Sequence, residues 1–283
     1  MDDGNDRKIF GAPVLAMPAP LATSDGDAPL RKGRAPEGKR SGYGLSTVLG
    51  SEDRVHITQT NAVPWRLVCS LVGMRGGRPI MVGTGALIGP RLVLTAGHNL
   101  DGRIEEMVIV PGRAGGREPF GSQRLPRSAF RMHPDWEDIR LRDPSRDAGA
   151  IVLDEPFPKL KNEWFAIAAP PDDALSGWML NIAGYPRETP MNPDAEGSEL
   201  LFHSNAVGEV KDRTLGYTVD TTVGQSGAPV WVYPDDDLPT IVGIHAYGAP
   251  PRLGGLLATR PRFNEATRID ADLAGHIRSW SPE

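Results

Sequence analysis

The stretch "TVGQSGAPV", Thr222 to Val230, holds a serine between glycines, with a proline and a β-branched residue close behind. A serine hydroxyl is a weak nucleophile at neutral pH and needs a neighbouring base to take its proton. Six histidines could serve Ser226: His56, His98, His133, His203, His245 and His276. His98 stands out by context. It closes the apolar run "RLVLTAGHNL", where Ala96 and Gly97 leave room for close packing around its ring. A base of this kind also needs a buried carboxylate to hold its tautomer and stabilise the imidazolium. Asp147 precedes the apolar strand "AGAIVL" and meets that need; Asp154 and Glu155, beside Pro156, read as turn residues. Each of the three has a plainer local reading: a turn serine, a structural strand-end histidine, a strand-start cap bonded to backbone amides. Together they form the set required for nucleophilic acyl transfer, in the chain order histidine, aspartate, serine.

These residues need a scaffold that brings distant segments together. From Thr47 onward, short apolar runs recur between turn signals: "WRLVCSLVGM", "RPIMVGTGALIG", "RLVLTAGHNL", "EEMVIVPG" and "AGAIVLDEP". A second set follows after about residue 165: "GWMLNIAGYP", "ELLFHSNAVGEV", "TLGYTVDTT", "GAPVWVYP", "TIVGIHAYG" and "GLLATRP". Such spacing predicts an all-β sandwich or barrel in two units. One segment, "RIDADLAGHIRSW", predicts a helix capped by Asp270, with Leu273, Ile277 and Trp280 on one face. Residues 1–46 carry no such period. They are rich in Gly, Pro and Ala, bear a basic patch (Arg31, Lys32, Arg34, Lys39, Arg40), and read as a disordered arm or pro-segment.

Bulk composition narrows the function classes. The chain has 283 residues, 39% of them hydrophobic, enough for a substantial core. The net charge of −5 gives no electrostatic case for nucleic acid or an anionic membrane as a main partner. A single cysteine, Cys69, rules out an intrachain disulfide, and in its apolar run it reads as a core filler. No metal is expected: His133-Pro134-Asp135 and the scattered acids lack ligand spacing, and no cofactor motif is present. The run Asp235-Asp236-Asp237 reads as a solvated hairpin tip. The acidic start "MDDGNDRKIF" lacks a secretory signal, and no window spans a membrane, so the chain as written reads as cytoplasmic, or as secreted if its start is misassigned or its export non-standard.

Six separated blocks resemble the glutamyl endopeptidase branch of the trypsin-like serine proteases, over roughly residues 47–282. "TVLGSEDRVHITQTNAVPWRLV" is similar to that branch's mature N-terminal segment, "GTGALIGPRLVLTAGHNL" to its histidine block and "RDAGAIVL" to its aspartate block. "IAGYPRETP" matches a Gly-Tyr-Pro signature, "DTTVGQSGAPV" the serine block, and "VGIHAYG" the pocket-lining strand. The resemblance implies two six-stranded antiparallel β-barrels with a C-terminal helix. Residues 47–160 would carry histidine and aspartate, residues 161–283 the serine, and the site would lie in the cleft between them. It implies catalysis by His98, Asp147 and Ser226, an oxyanion hole from the Gly224 and Ser226 amides, and a protein or peptide substrate.

One departure from digestive trypsins stands next to the nucleophile. Gln225 occupies the place of the aspartate that pairs with a freed N-terminus in those enzymes, so that switch is absent. By resemblance the mature chain would start near Ser46, Thr47 and Val48; separately, the missing signal peptide motivates a reading in which residues 1–46 or a partner keep a cytoplasmic enzyme silent. His245 and Thr221 carry over as binders of a substrate glutamate. Asp220 lies six residues before Ser226, where trypsins keep the acid that binds Arg or Lys. Cleavage after Glu, extending to Asp, is therefore expected, with cleavage after Arg or Lys and a non-catalytic binding module on the same fold as the alternatives.

Overall fold

The computed structural model describes residues 48–49, 52–137, 143–160, 163–234, 238–248 and 263–282. The arm and processing region before Val48, the Asp235-Asp236-Asp237 run and the strand expected in "GLLATRP" lie outside the described residues.

Fifteen described strands form two sheets. In chain order they are β1 (Val55–Ile57), β2 (Val68–Arg75), β3 (Arg78–Gly89), β4 (Leu92–Thr95), β5 (Glu106–Pro111), β6 (Gln123–Pro126), β7 (Phe130–Met132) and β8 (Gly149–Val152). The remainder are β9 (Ala166–Ile167), β10 (Met179–Gly184), β11 (Leu200–Val210), β12 (Thr214–Tyr217), β13 (Pro229–Val232), β14 (Thr240–Tyr247) and β15 (Asn264–Arg268). The C-terminal sheet closes on itself: β11, β10, β13, β14, β15 and β12 pair in a ring of six antiparallel strands. The N-terminal sheet runs β6-β5-β2-β3-β4-β8-β7. It curls as a half-barrel of seven strands, where six closed strands were expected. β1 pairs with Leu200–Phe202 of β11 and so belongs to the second sheet, although it precedes the first in sequence.

The reason for two curled sheets is legible in the strands themselves. In β2 to β4 both faces are apolar. One face, with Cys69, Leu71, Leu87 and Val93, fills the interior of the first sheet. The alternate residues Val68, Ala86, Ile88, Leu92 and Leu94 face the seam, where they meet Ala183, Tyr185, Trp231 and Ile244 of the second sheet. A separate cluster around Leu180, Val219, Val230 and Val242 fills the closed barrel. Cys69 is fully buried, and burial pushes its thiol well above the usual range, which suits packing and not nucleophilic chemistry.

The predicted helix is α3 (Ala271–Trp280); it follows two one-turn helices, α1 (Pro134–Glu137) and α2 (Asp172–Leu175). Asp270 caps α3 by accepting from the Leu273 amide at 2.8 Å. Leu273, Ala274, Ile277 and Trp280 are buried in the seam cluster. The same Asp270 carboxylate accepts from Arg146 Nη1 at 2.9 and 2.8 Å, and Arg146 Nη2 lies 3.0 Å from Asp272. The helix is thereby tied to the residue directly before Asp147.

Burial alone would raise the Asp270 carboxyl; the Arg146 hydrogen bond, the Leu273 amide and nearby positive charge outweigh it, and the net shift is downward. A depressed folded value contributes stability that is present above the ordinary carboxylate range and drains as pH falls through the lowered value. Asp270→Ala is expected to cost about 2–4 kcal/mol at neutral pH, through a lost cap and a buried guanidinium left with only the exposed Asp272 as its carboxylate partner. Urea titrations at pH 7 and pH 3 check this: the gap between variant and wild type should narrow at the lower pH.

Candidate active site

His98 lies in a single 3-10 turn, Gly97–Leu100, immediately after β4. The small residue before it has a defined purpose. A Cβ at Gly97 would collide with the Trp136 indole, so glycine lets Trp136 pack against this turn. The His98 ring lies 6.5 Å from Trp136 and 6.2 Å from Tyr247, measured between ring centroids.

Asp147 follows the 3-10 turn Pro144–Arg146, whose start is capped by the Asp143 side chain. Its own side chain is fully buried. Oδ1 accepts from the His98 backbone amide at 2.8 Å, and Oδ2 lies 2.6 Å from His98 Nδ1. The carboxylate therefore grips both the main chain and the ring of one residue. With Nδ1 donating to the carboxylate, the lone pair stays on Nε2, the nitrogen able to take a proton. Thr267 Oγ1 donates to the Asp147 carbonyl at 3.3 Å and holds the peptide from the second sheet.

Ser226 comes from the other sheet, in the turn that leads into β13. Its carbonyl accepts from the Thr84 amide at 2.9 Å and from Asn99 Nδ2 at 2.8 Å. Asn99 is the neighbour of His98, so Ser226 and the His98 turn are joined through one side-chain amide. Gly224 has φ +101° and Gly227 φ +84°, both in the region open to glycine. A Cβ at Gly224 would press on the Tyr185 carbonyl and the Arg187 amide, and one at Gly227 on Thr84 O and Thr95 Oγ1. Among the described residues, no group accepts from the Gly224 or Ser226 main-chain amides.

The remaining predicted residues separate. His245, on β14, is fully buried. Its main chain pairs with Gly227 and Ala228 at 2.7 and 2.9 Å, one strand from the Ser226 turn. Its Nδ1 lies 2.6 Å from Tyr217 Oη. Burial, aided by the charge of nearby His98, pulls His245 down to about 3, so the ring is neutral at neutral pH. Thr221 is buried, and among the described residues its Oγ1 has no hydrogen-bond partner. The Asp220 carboxylate faces a different group: Oδ1 accepts from the Leu49 amide at 2.6 Å, and Oδ2 lies 3.7 Å from His203 Nδ1.

Thr84 was not singled out by sequence. Every polar atom of this buried residue is engaged at the site. Its amide holds Ser226, its Oγ1 donates to the Gly224 carbonyl at 2.9 Å and accepts from the Tyr185 amide at 2.9 Å, and its carbonyl accepts from Thr95 Oγ1 at 2.7 Å. A threonine between two glycines in an apolar strand was the available signal, because a buried hydroxyl must find partners.

His133, Asp272 and His276 gather at the end of α3, with potential ligand atoms within 4.8 Å of one another. The site does not suit a cation. The Asp135 amide donates to His133 Nδ1 at 3.2 Å, which places the ring proton on Nε2, the atom 3.5 Å from Asp272 that would have to bind. Arg146 already supplies the positive charge beside Asp272.

The family model described as Trypsin matches residues 54–264. The chain is 29% identical over 247 residues to a protein named glutamyl endopeptidase from Bacillus licheniformis, covering 84% of this chain and 70% of that one. It is 25% identical over 241 residues to one named extracellular metalloprotease from Bacillus subtilis, covering 83% and 70%. A solved Glu endopeptidase structure in complex with MPD superposes with a TM-score of 0.66 at 21% identity, over 82% of this chain and 98% of that one.

Thr84→Val removes the hydroxyl and leaves the shape. It should strand the Tyr185 amide and the Gly224 carbonyl at a cost of about 2–4 kcal/mol. Thr84→Ser should recover most of that, as read by urea unfolding of the two variants side by side.

Proposed function

The chain belongs to the trypsin family of serine endopeptidases, and from that premise we propose that His98, Asp147 and Ser226 are its catalytic residues and that it cuts after Glu and, less readily, Asp. The observation that carries the first part is the double grip of buried Asp147 on His98, with Ser226 held to the adjacent Asn99. Ser226 Oγ attacks the scissile carbonyl while His98 Nε2 takes its proton and then delivers it to the leaving amine. Asp147 keeps the imidazole in the required tautomer and stabilises its charged form. The negative oxygen of the tetrahedral intermediate is received by the Gly224 and Ser226 amides. Water then repeats the cycle on the acyl-enzyme.

The choice of an acidic P1 residue rests on three observations. The Leu49 amide occupies the Asp220 carboxylate, which leaves that acid poorly placed to recruit Arg or Lys. His245 is neutral and in register with the nucleophile turn. Burial holds the Tyr217 phenol well above its usual range, so it remains an O–H that can donate to His245 Nδ1 and leave the ring proton on Nε2. A neutral N–H donor together with the Thr221 hydroxyl binds a carboxylate without a buried counter-charge. The relative named glutamyl endopeptidase agrees with this chemistry.

Three measurements test the reading. A fluorophosphonate probe should label the processed protein, starting near Val48, at Ser226 and fail on Ser226→Ala; an unlabelled processed protein would mean a binding module. A peptide library scanned at P1 should show turnover after Glu, whereas turnover confined to Arg or Lys would reassign the pocket to Asp220. Tyr217→Phe should lower kcat/KM for Glu substrates about 3–10-fold, the worth of one hydrogen bond, mostly through KM.

A further inference from the structure

The segment before β1 reaches across to the serine turn through one buried cation. The Arg54 side chain is only 2% exposed. Its Nη1 donates to Thr222 Oγ1 at 2.6 Å and to Gln225 Oε1 at 2.7 Å, one residue before the nucleophile. Gln225, itself 1% exposed, accepts at the same oxygen from the Thr222 amide at 2.9 Å. Two donors converge there, so the amide oxygen must face them.

Glu52 holds the guanidinium from the other side. Arg54 Nε donates to Oε1 at 2.7 Å and Nη2 to Oε2 at 2.6 Å, a paired two-bond contact. Burial pushes the Glu52 carboxyl up, but the hydrogen bonds and charge of Arg54 outweigh it and leave it below its ordinary value. The pair is therefore a neutralised unit with two donors directed at the turn. A neutral glutamine can accept from it without further charge compensation.

We propose that Arg54 is the positioning residue of the oxyanion loop: its two hydrogen bonds hold residues 222–226 in the conformation that presents the Gly224 and Ser226 amides. Gly224 at φ +101° is a state glycine can leave without a Cβ clash, so something must restrain its neighbours. Arg54 and Thr84 do so from opposite sides, one through the Gln225 side chain and the other through the Gly224 carbonyl. The Arg54 tether comes from within the chain, so the order of the loop does not depend on a free amino terminus inserting beside residue 225. This inference rests on the catalytic roles proposed above.

The test compares Arg54→Met and Arg54→Lys with wild type in the full chain. Three quantities are read: kcat, KM, and the inhibition constant of a peptide boronate bearing the preferred P1 side chain. The boronate forms a tetrahedral adduct on serine and reports the oxyanion site. Loss of one oxyanion donor lowers kcat about 100–1000-fold, so Arg54→Met should lose on that order in kcat and weaken the boronate comparably, with KM within about threefold. Arg54→Lys can reach one acceptor and should fall between. Equal kcat in wild type and Arg54→Met overturns the proposal, as does a parallel rise in KM and the boronate constant. If Arg54→Met does not fold, a folded Arg54→Lys with wild-type kcat overturns it equally. A processed protein that no fluorophosphonate labels would instead remove the catalytic reading beneath it.

Discussion

A carboxylate with no access to water is expensive unless it is fully paired, and Asp147 is in that position. The architecture around it follows from that constraint. Both carboxylate oxygens are met by His98, one through the main chain and one through the ring. The peptide of Asp147 is held by Thr267 from the second sheet, and the preceding Arg146 is locked to Asp270 and Asp272 of α3. A C-terminal helix that could be taken for a simple cover over the seam is thus part of the scaffold of the acid. Removal of water also strengthens the field that orients the imidazole, which is why the desolvation cost is tolerated at this point.

The second constraint is the meeting of two sheets at one serine. Ser226 depends on β3 through Thr84 and on the histidine turn through Asn99. Gly224 and Gly227 are required because main chain from the first sheet and from the Tyr185 turn approaches where a side chain would stand. The N-terminal segment closes the arrangement from below: the Leu49 amide satisfies Asp220, and Arg54 satisfies Thr222 and Gln225. Chain that precedes the first sheet therefore works inside the second, and β1 pairs there as well.

Much of this was legible. The apolar runs located the core strands, because burial on both faces leaves a continuous hydrophobic signature. His98 and Asp147 could be chosen from context, and Asp270 with its apolar stripe predicted α3. β15 was not legible. Its residues Asn264, Thr267 and Arg268 are buried yet polar, and their partners Val219, Asp147, Pro170 and Asp172 lie far away in sequence. The seven-stranded first sheet was missed for a related reason, since β6 and β7 are short and half exposed.

The sequence by itself determined the side chains available: a serine between glycines, a histidine at a strand end, an aspartate at a strand start, and the alternating apolar strands able to carry them. These are local properties, set by residue type and by periods of two or 3.6 residues. Only the tertiary structure decided what each polar group faces. Asp220 offers two acceptor oxygens to any donor; the fold sets the Leu49 amide against one of them. Gln225 could have been a bare substitution for an acid; the fold sets a guanidinium beside it. A side chain's type states which bonds it can make, but the partners of Asp220 and Gln225 come from a segment 171 residues earlier in the chain, and no local pattern encodes that distance.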